Sequence, residues 1–193
     1  MQLRFWNYIT VLFYSVPLYI YIVLFLIAVL GVTLFLVRKG KDAGVYIARL
    51  LSTDYVVYIF CSTVLFREEC QERISHLKPF WSYGSSDIFD EAIMNVLVFI
   101  PLGFFLGWSL CEKYFAKAVM IGFFVTIMVE LMQFVFKRGT AETDDIIHNT
   151  LGCLVGVTAA LVLRKYITRH KNTYFQSFDF DGEPSLEREE KSC

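Results

Sequence analysis

The sequence predicts an all-α integral membrane protein with about five transmembrane helices, its N-terminus outside and its C-terminus inside. Three observations carry this. Of 193 residues, 56% are hydrophobic and 17% aromatic, above the roughly 45–50% apolar content of soluble domains. The apolar residues fall in runs close to the 20 or so needed to cross about 30 Å of hydrocarbon. The apolar/polar alternation of a membrane barrel is absent, which leaves helices.

The first run, Tyr8–Val37, exceeds one crossing. Pro17 breaks it, so Pro17–Val37 is the span and the preceding residues lie partly in the interface. Trp6, Tyr8, Tyr14, Tyr19 and Tyr21 suit that headgroup region. A cleaved signal peptide fits poorly, because the run is too long and no small-x-small site follows. The remaining spans are Val45–Phe66, Glu91–Leu110, Ala116–Phe136 and Ile146–Leu163.

Lys and Arg in short loops set the orientation. With the N-terminus outside, the inner segments hold Arg38, Lys39, Lys41, Lys113, Lys117, Arg164, Lys165, Arg169 and Lys171. The outer segments hold Arg4, Arg67, Arg73, Lys78, Lys137 and Arg138. The modest inner excess favours N-out and C-in. Three regions result: an N-terminal helix and inner loop over 1–44, a helical core over 45–163, and a cytoplasmic, acidic, disordered tail over 164–193. Six acids against two bases crowd residues 172–193. The remainder is slightly basic. The near balance of 18 basic and 19 acidic residues argues against a nucleic-acid partner.

The five cysteines form no CxxC pair, and their number is odd. Neither a disulfide framework nor a zinc site follows. Cys61 and Cys153 read as small apolar residues inside helices. No spacing matches a metal or cofactor signature, so no cofactor is expected.

The informative residues are polar side chains within the spans, which are costly there and functional by default. Glu130 lies six residues, about 9 Å, inside the end of its span, with Gln133 on the same face. Asn95 lies about 6 Å inside its span, and Asn149 is at similar depth in the last one. The topology brings Asn95, Glu130, Gln133 and Asn149 to one outer polar layer. Interhelical hydrogen-bond glue is the plainer account of the amides. For Glu130 it is a neutral acid, or a pair with Lys137 or Arg138.

The loop before the last span adds Arg138, Asp144 and Asp145. Either aspartate suits the start of a helix, as a cap and opposite its dipole. Asp145, Asn149, Gly152 and Gly156 share one stripe. Gly152-x-x-x-Gly156 is a close-packing seam. Pro101 interrupts the third span and should kink it, with Gly103 giving close packing. His148 is placed for proton transfer, or is simply an interfacial histidine. Arg49 snorkels from the second span, while Asp54 needs a partner. The aromatic segment Leu77–Gly84 suits an interfacial lid over the polar layer. Glu130 and His148 are the candidate catalytic residues, although no diagnostic catalytic motif is present.

Asn95, Phe99-x-Pro101-x-Gly103, Glu130-x-x-Gln133, Arg138, Asp144-Asp145 and Asn149-x-x-Gly152 together resemble the VanZ-like family of bacterial membrane proteins. Pro79-Phe80-Trp81-Ser82-Tyr83 looks like the element that precedes this core in that family. The resemblance covers roughly residues 45–163. It implies a multi-pass protein of the bacterial cytoplasmic membrane. It also implies lowered susceptibility to glycopeptides, teicoplanin more than vancomycin. Carried over by motif, the binding residues are Asn95, Glu130, Gln133, Arg138, Asp144, Asp145 and Asn149. The implied partners are the lipid bilayer and either the glycopeptide or a lipid-linked cell-wall precursor. Two other readings stand beside it. One is a membrane enzyme acting on a lipid-linked envelope substrate. The other is a structural or interaction protein. The oligomeric state is left open.

Overall fold

A computed structural model describes residues 43–81, 83, 88–110 and 112–178, with eight positions between Pro17 and Gly31. Helix α1 (Ala43–Phe60) runs on through a π-turn at Cys61–Leu65. Strand β1 (Ile74–His76) follows, then α2 (Ile88–Ser109). A 3₁₀ turn at Glu112–Tyr114 leads into α3 (Phe115–Phe136). Strand β2 (Thr140–Glu142) and α4 (Thr143–Phe178) complete the order. Among the described residues, four helices are long and apolar enough to cross a membrane. Most of the predicted first span lies outside the described residues. So do Trp6, Tyr8, Tyr14, Tyr19, Ser82, Gly84, Cys111 and Cys193. The described part of that span meets α1, with the Tyr21 and Tyr58 rings 5.8 Å apart.

The chain connects these helices up and down. The C-terminal ends of α1 and α3 and the N-terminal ends of α2 and α4 therefore share one end of the bundle, the loop end. There β1 and β2 pair in parallel, Ile74 with Thr140 and His76 with Glu142. This small pair departs from a purely helical expectation. It lies beyond the spans, where water can satisfy its outer edges, so it meets no membrane penalty. The opposite end is held in part by Arg164, whose guanidinium donates to the Leu110 carbonyl at 3.2 Å.

The centre is the α2–α4 seam. Gly103 lies against the Cys153 backbone, Gly152 against the Val96 carbonyl and Gly156 against the Ile100 carbonyl. A Cβ at Gly107 would stand 2.9 Å from Val157 Cα, so the seam extends a further turn along α2. Small residues let helix backbones approach where lipid gives no hydrophobic drive between helices. Around this seam Ile59, Val64, Phe99, Leu102, Val129, Cys153 and Val157 form the buried core. Pro101 lies inside α2, which continues to Ser109. Near it, the Tyr55 hydroxyl donates to the Val98 carbonyl at 2.9 Å.

Helix α4 starts three residues before the predicted Ile146 and extends to Phe178, beyond the predicted end at Leu163. Residues 164–178 are thus helical rather than disordered. Their polar side chains end a hydrophobic span but do not end a helix, since Arg and Lys are good helix formers. Residues 179–193 lie outside the described residues.

Candidate functional site

The loop end gathers the polar side chains. Helix α3 stops with Lys137 in the left-handed region, φ 54°. The Arg138 amide donates to the Gln133 carbonyl at 2.9 Å and the Lys137 amide to Phe134 at 3.4 Å. This is a Schellman stop without glycine at its usual place. The glycine comes two residues later. Gly139 has φ 144°, and a Cβ there would stand 2.9 Å from the Arg67 guanidinium. The chain then turns along β2 into α4.

That turn brings acids together. Glu130, only 5% exposed, accepts the Glu142 amide proton at 3.0 Å through Oε2. Asp145 accepts a hydrogen bond from Asn95 Nδ2 at 2.6 Å, which ties α4 to α2. Asp144 Oδ1 accepts from the Phe80 amide at 2.6 Å. Thr143 donates to the Leu77 carbonyl at 3.1 Å. Asp144 and Asp145 thus sit in the first turn, where the dipole favours acids, and also tie α4 to other segments.

The amides divide between two contacts. Asn149 Nδ2 donates to Thr126 Oγ1 at 2.9 Å, one turn deeper than Asp145. Gln133 Nε2 donates to the Thr63 carbonyl at 3.2 Å and so bridges α3 to the end of α1. Gln133 Oε1 and Asn149 Oδ1 are buried and accept nothing among the described residues. The four polar residues Asn95, Glu130, Gln133 and Asn149 thus take different partners at the loop end. The fold places Asn95 and Glu130 with the acids, Asn149 below them, and Gln133 toward α1.

The cation that acts on these acids is Arg67. Its charge interacts favourably with Glu130, Glu142 and Asp145. Arg138 instead donates to the Arg67 carbonyl at 2.5 Å. A direct Glu130–Arg138 pair is replaced by Arg138 holding the Arg67 backbone while the Arg67 charge faces the acids. Sequence reading counted Arg67 only as a loop charge. Its place directly after the second span, at the same end of the bundle as Glu130, was the available signal.

His148 is 7% exposed, and its Nε2 lies 3.0 Å from the Tyr83 hydroxyl. Tyr83 and Phe80 rings pack edge to face, and Trp81 stacks on His76 at 4.7 Å. Phe80, at φ 60°, marks the bend of this segment. Among the described residues no group of three or more His, Cys, Asp or Glu side chains is arranged to hold a metal. Asp54 Oδ2 has no hydrogen-bond partner among the described residues.

Glu142 lies outside the spans. Burial holds its carboxyl above the ordinary 4.5, and Glu91 and Asp144 push the same way, against His76 and Arg67. Folding thus disfavours its anion. The stability this group contributes is complete below pH 4.5 and is lost as pH rises through the raised value. Glu142→Gln should match wild type in thermal unfolding near pH 4 and exceed it at pH 7–8. A widening deficit of the variant at high pH would show that the anion is stabilised instead.

The family model for VanZ/LLP1 matches residues 5–164. The chain belongs to the VanZ/LLP1 family. The match takes in the first apolar segment, which sequence reading left outside the resemblance. Protein VanZ of Enterococcus faecium is 30% identical over 100 residues, covering 52% of this chain and 60% of that relative. The aligned part is thus under two thirds of the relative. No solved structure matches. Family membership and the four apolar helices make this a VanZ-like bacterial membrane protein.

Proposed function

We propose that the chain lowers susceptibility to glycopeptide antibiotics, teicoplanin above all, through the polar cluster at the loop end. In this reading the loop end faces outward from the cytoplasmic membrane, as the basic-residue bias favours. It meets the glycopeptide or a lipid-linked cell-wall precursor. The observation that carries the reading is the burial of Glu130 beside Asp145 within membrane spans, near two amide oxygens that lack donors among the described residues. Such groups are expensive in a bilayer and are retained for use. Three carboxyl groups sharing the charge of one Arg67 suit a partner that brings N–H donors, as a peptide-like or amine-bearing molecule does.

The test is teicoplanin and vancomycin susceptibility in a sensitive Gram-positive host. Wild type and Glu130→Gln are expressed at matched membrane levels. Wild type should raise tolerance, chiefly to teicoplanin, and the variant should lose most of that rise. Equal tolerance in both strains would remove the cluster from the mechanism.

A further inference from the structure

The turn between α3 and β2 grips the chain that leaves α1 at three points. The Cys70 amide donates to the Lys137 carbonyl at 2.7 Å. The Arg138 guanidinium donates to the Arg67 carbonyl at 2.5 Å. Gly139 lies against the Arg67 guanidinium, where a Cβ would stand 2.9 Å from Cζ and Nη1 and 3.2 Å from Nε. Ahead of Arg67 the π-turn closes, with the Phe66 amide donating to the Cys61 carbonyl at 3.0 Å. The Arg67 backbone is thus held from before and after, and its head rests on a bare Cα.

That seat needs glycine for two reasons. Position 139 has φ 144°, which residues with a Cβ rarely adopt. A methyl group there would also take the space of three guanidinium atoms. Gly139 is buried although it sits in a turn, while Arg67 is exposed. An exposed arginine on a free loop spreads over many rotamers, and its charge is then worth little to any one acid. The Arg67 charge nevertheless acts on acids from three elements, Glu130 on α3, Glu142 on β2 and Asp145 on α4. Such reach requires a fixed direction, and the turn supplies it.

We propose that Arg138 and Gly139 are positioning residues, which seat the Arg67 guanidinium against Glu130, Glu142 and Asp145. Arg138, which the family resemblance places among the binding residues, then acts on a partner only through Arg67. This inference rests on the functional reading above, because the same acids meet the partner there. It names what fixes the cation beside them.

Glu142, outside the spans, reports the seating. Arg67 from the end of α1 and His76 from β1 favour its anion, while Glu91 from α2 and Asp144 from α4 oppose it. Glu130 from α3 accepts its amide proton. His76 is common to wild type and variants, so it cancels in their comparison. Displacing the Arg67 charge makes the anion costlier in the folded chain. The resulting loss of stability is absent where Glu142 is protonated, near pH 4, and grows as pH rises.

The experiment is thermal unfolding of the full chain in mild detergent from pH 4 to pH 8. Arg67→Gln should unfold within ~1 °C of wild type at pH 4 and at least ~3 °C below it at pH 8. Arg138→Met removes the donor and should show a gap that widens in the same way. Arg138→Lys keeps an N–H donor for the carbonyl and should recover most of it. Gly139→Ala should add a constant loss from backbone strain to the widening gap. Where that variant does not accumulate, Arg138→Met carries the test. Beside Arg67→Gln, Arg138→Met should add no further pH-dependent loss. A gap of constant size in Arg138→Met would make Arg138 a structural tie and overturn the proposal. So would a widening gap that persists beside Arg67→Gln, since Arg138 would then act on the acids itself. Drug tolerance is scored separately. A widening gap in a chain that gives no tolerance removes the functional reading alone, and tolerance without a widening gap removes this inference alone.

Discussion

Gly156→Ala should abolish accumulation of the folded protein, and Gly152→Ala should do nearly the same. In most membrane helices a glycine-to-alanine change improves helix propensity by up to about 1 kcal/mol. Here one methyl group meets backbone. The new Cβ at position 156 would overlap the Ile100 carbonyl oxygen and crowd the Phe104 amide. At position 152 it would overlap the Val96 carbonyl. A flexible side chain could move aside, but a helix carbonyl moves only with its helix. Separating α2 from α4 would also open the core at Phe99, Leu102 and Cys153. The cost should reach about 3 kcal/mol, the upper part of the overpacking range. That is a large share of a typical total stability of 5–15 kcal/mol. Gly44→Ala is the control. Its Cβ would stand 3.1 Å from Trp108 Nε1, a side-chain atom that can shift. Fluorescence-detected size exclusion of the three variants checks this. A monodisperse Gly156→Ala peak at wild-type height would show that the seam is looser than its geometry.

The helices were legible in the sequence because each needs only its own residues, an apolar run of bilayer length. The seam was half legible. Gly152 and Gly156 repeat at helical spacing, and Gly103 stood out, but nothing local marks Gly107 as lying on Val157. The strand pair was not legible at all. Three residues at Ile74–His76 and three at Thr140–Glu142 carry no alternation long enough to read. Their pairing depends on two distant loops meeting at one end of the bundle. Arg67 was missed for the same reason, since its acids arrive from α3, β2 and α4. Glu130, Asn95 and Asp145 were visible because a polar group inside an apolar run contrasts with its neighbours. What each would bond to was not visible. Asn95 with Asp145 and Glu130 with the Glu142 amide are joined only by the turn through Gly139.

Glu130→Gln and Glu130→Ala should separate structure from function at the same position. The Glu130 side chain accepts the Glu142 amide proton, and an amide oxygen at position 130 can do the same. Glu130→Gln therefore keeps the turn tied and removes only the ionisable acid. It also removes the repulsion between Glu130 and Asp145. Its unfolding temperature should match or exceed that of wild type. Glu130→Ala deletes the acceptor, leaves a buried amide proton unpaired and opens a void. The unpaired group alone costs about 1–3 kcal/mol. Its unfolding temperature should fall, and proteolysis should reach the 137–142 turn sooner. If the acid only holds helices together, tolerance to teicoplanin tracks stability, so Gln behaves as wild type and Ala fails. If the carboxyl group is used to bind a partner, both variants lose tolerance although only Ala loses stability. Expression-matched susceptibility together with detergent-phase thermal unfolding reads both quantities. A Gln variant that is stable yet inactive assigns the Glu130 carboxyl group to the partner rather than to the fold.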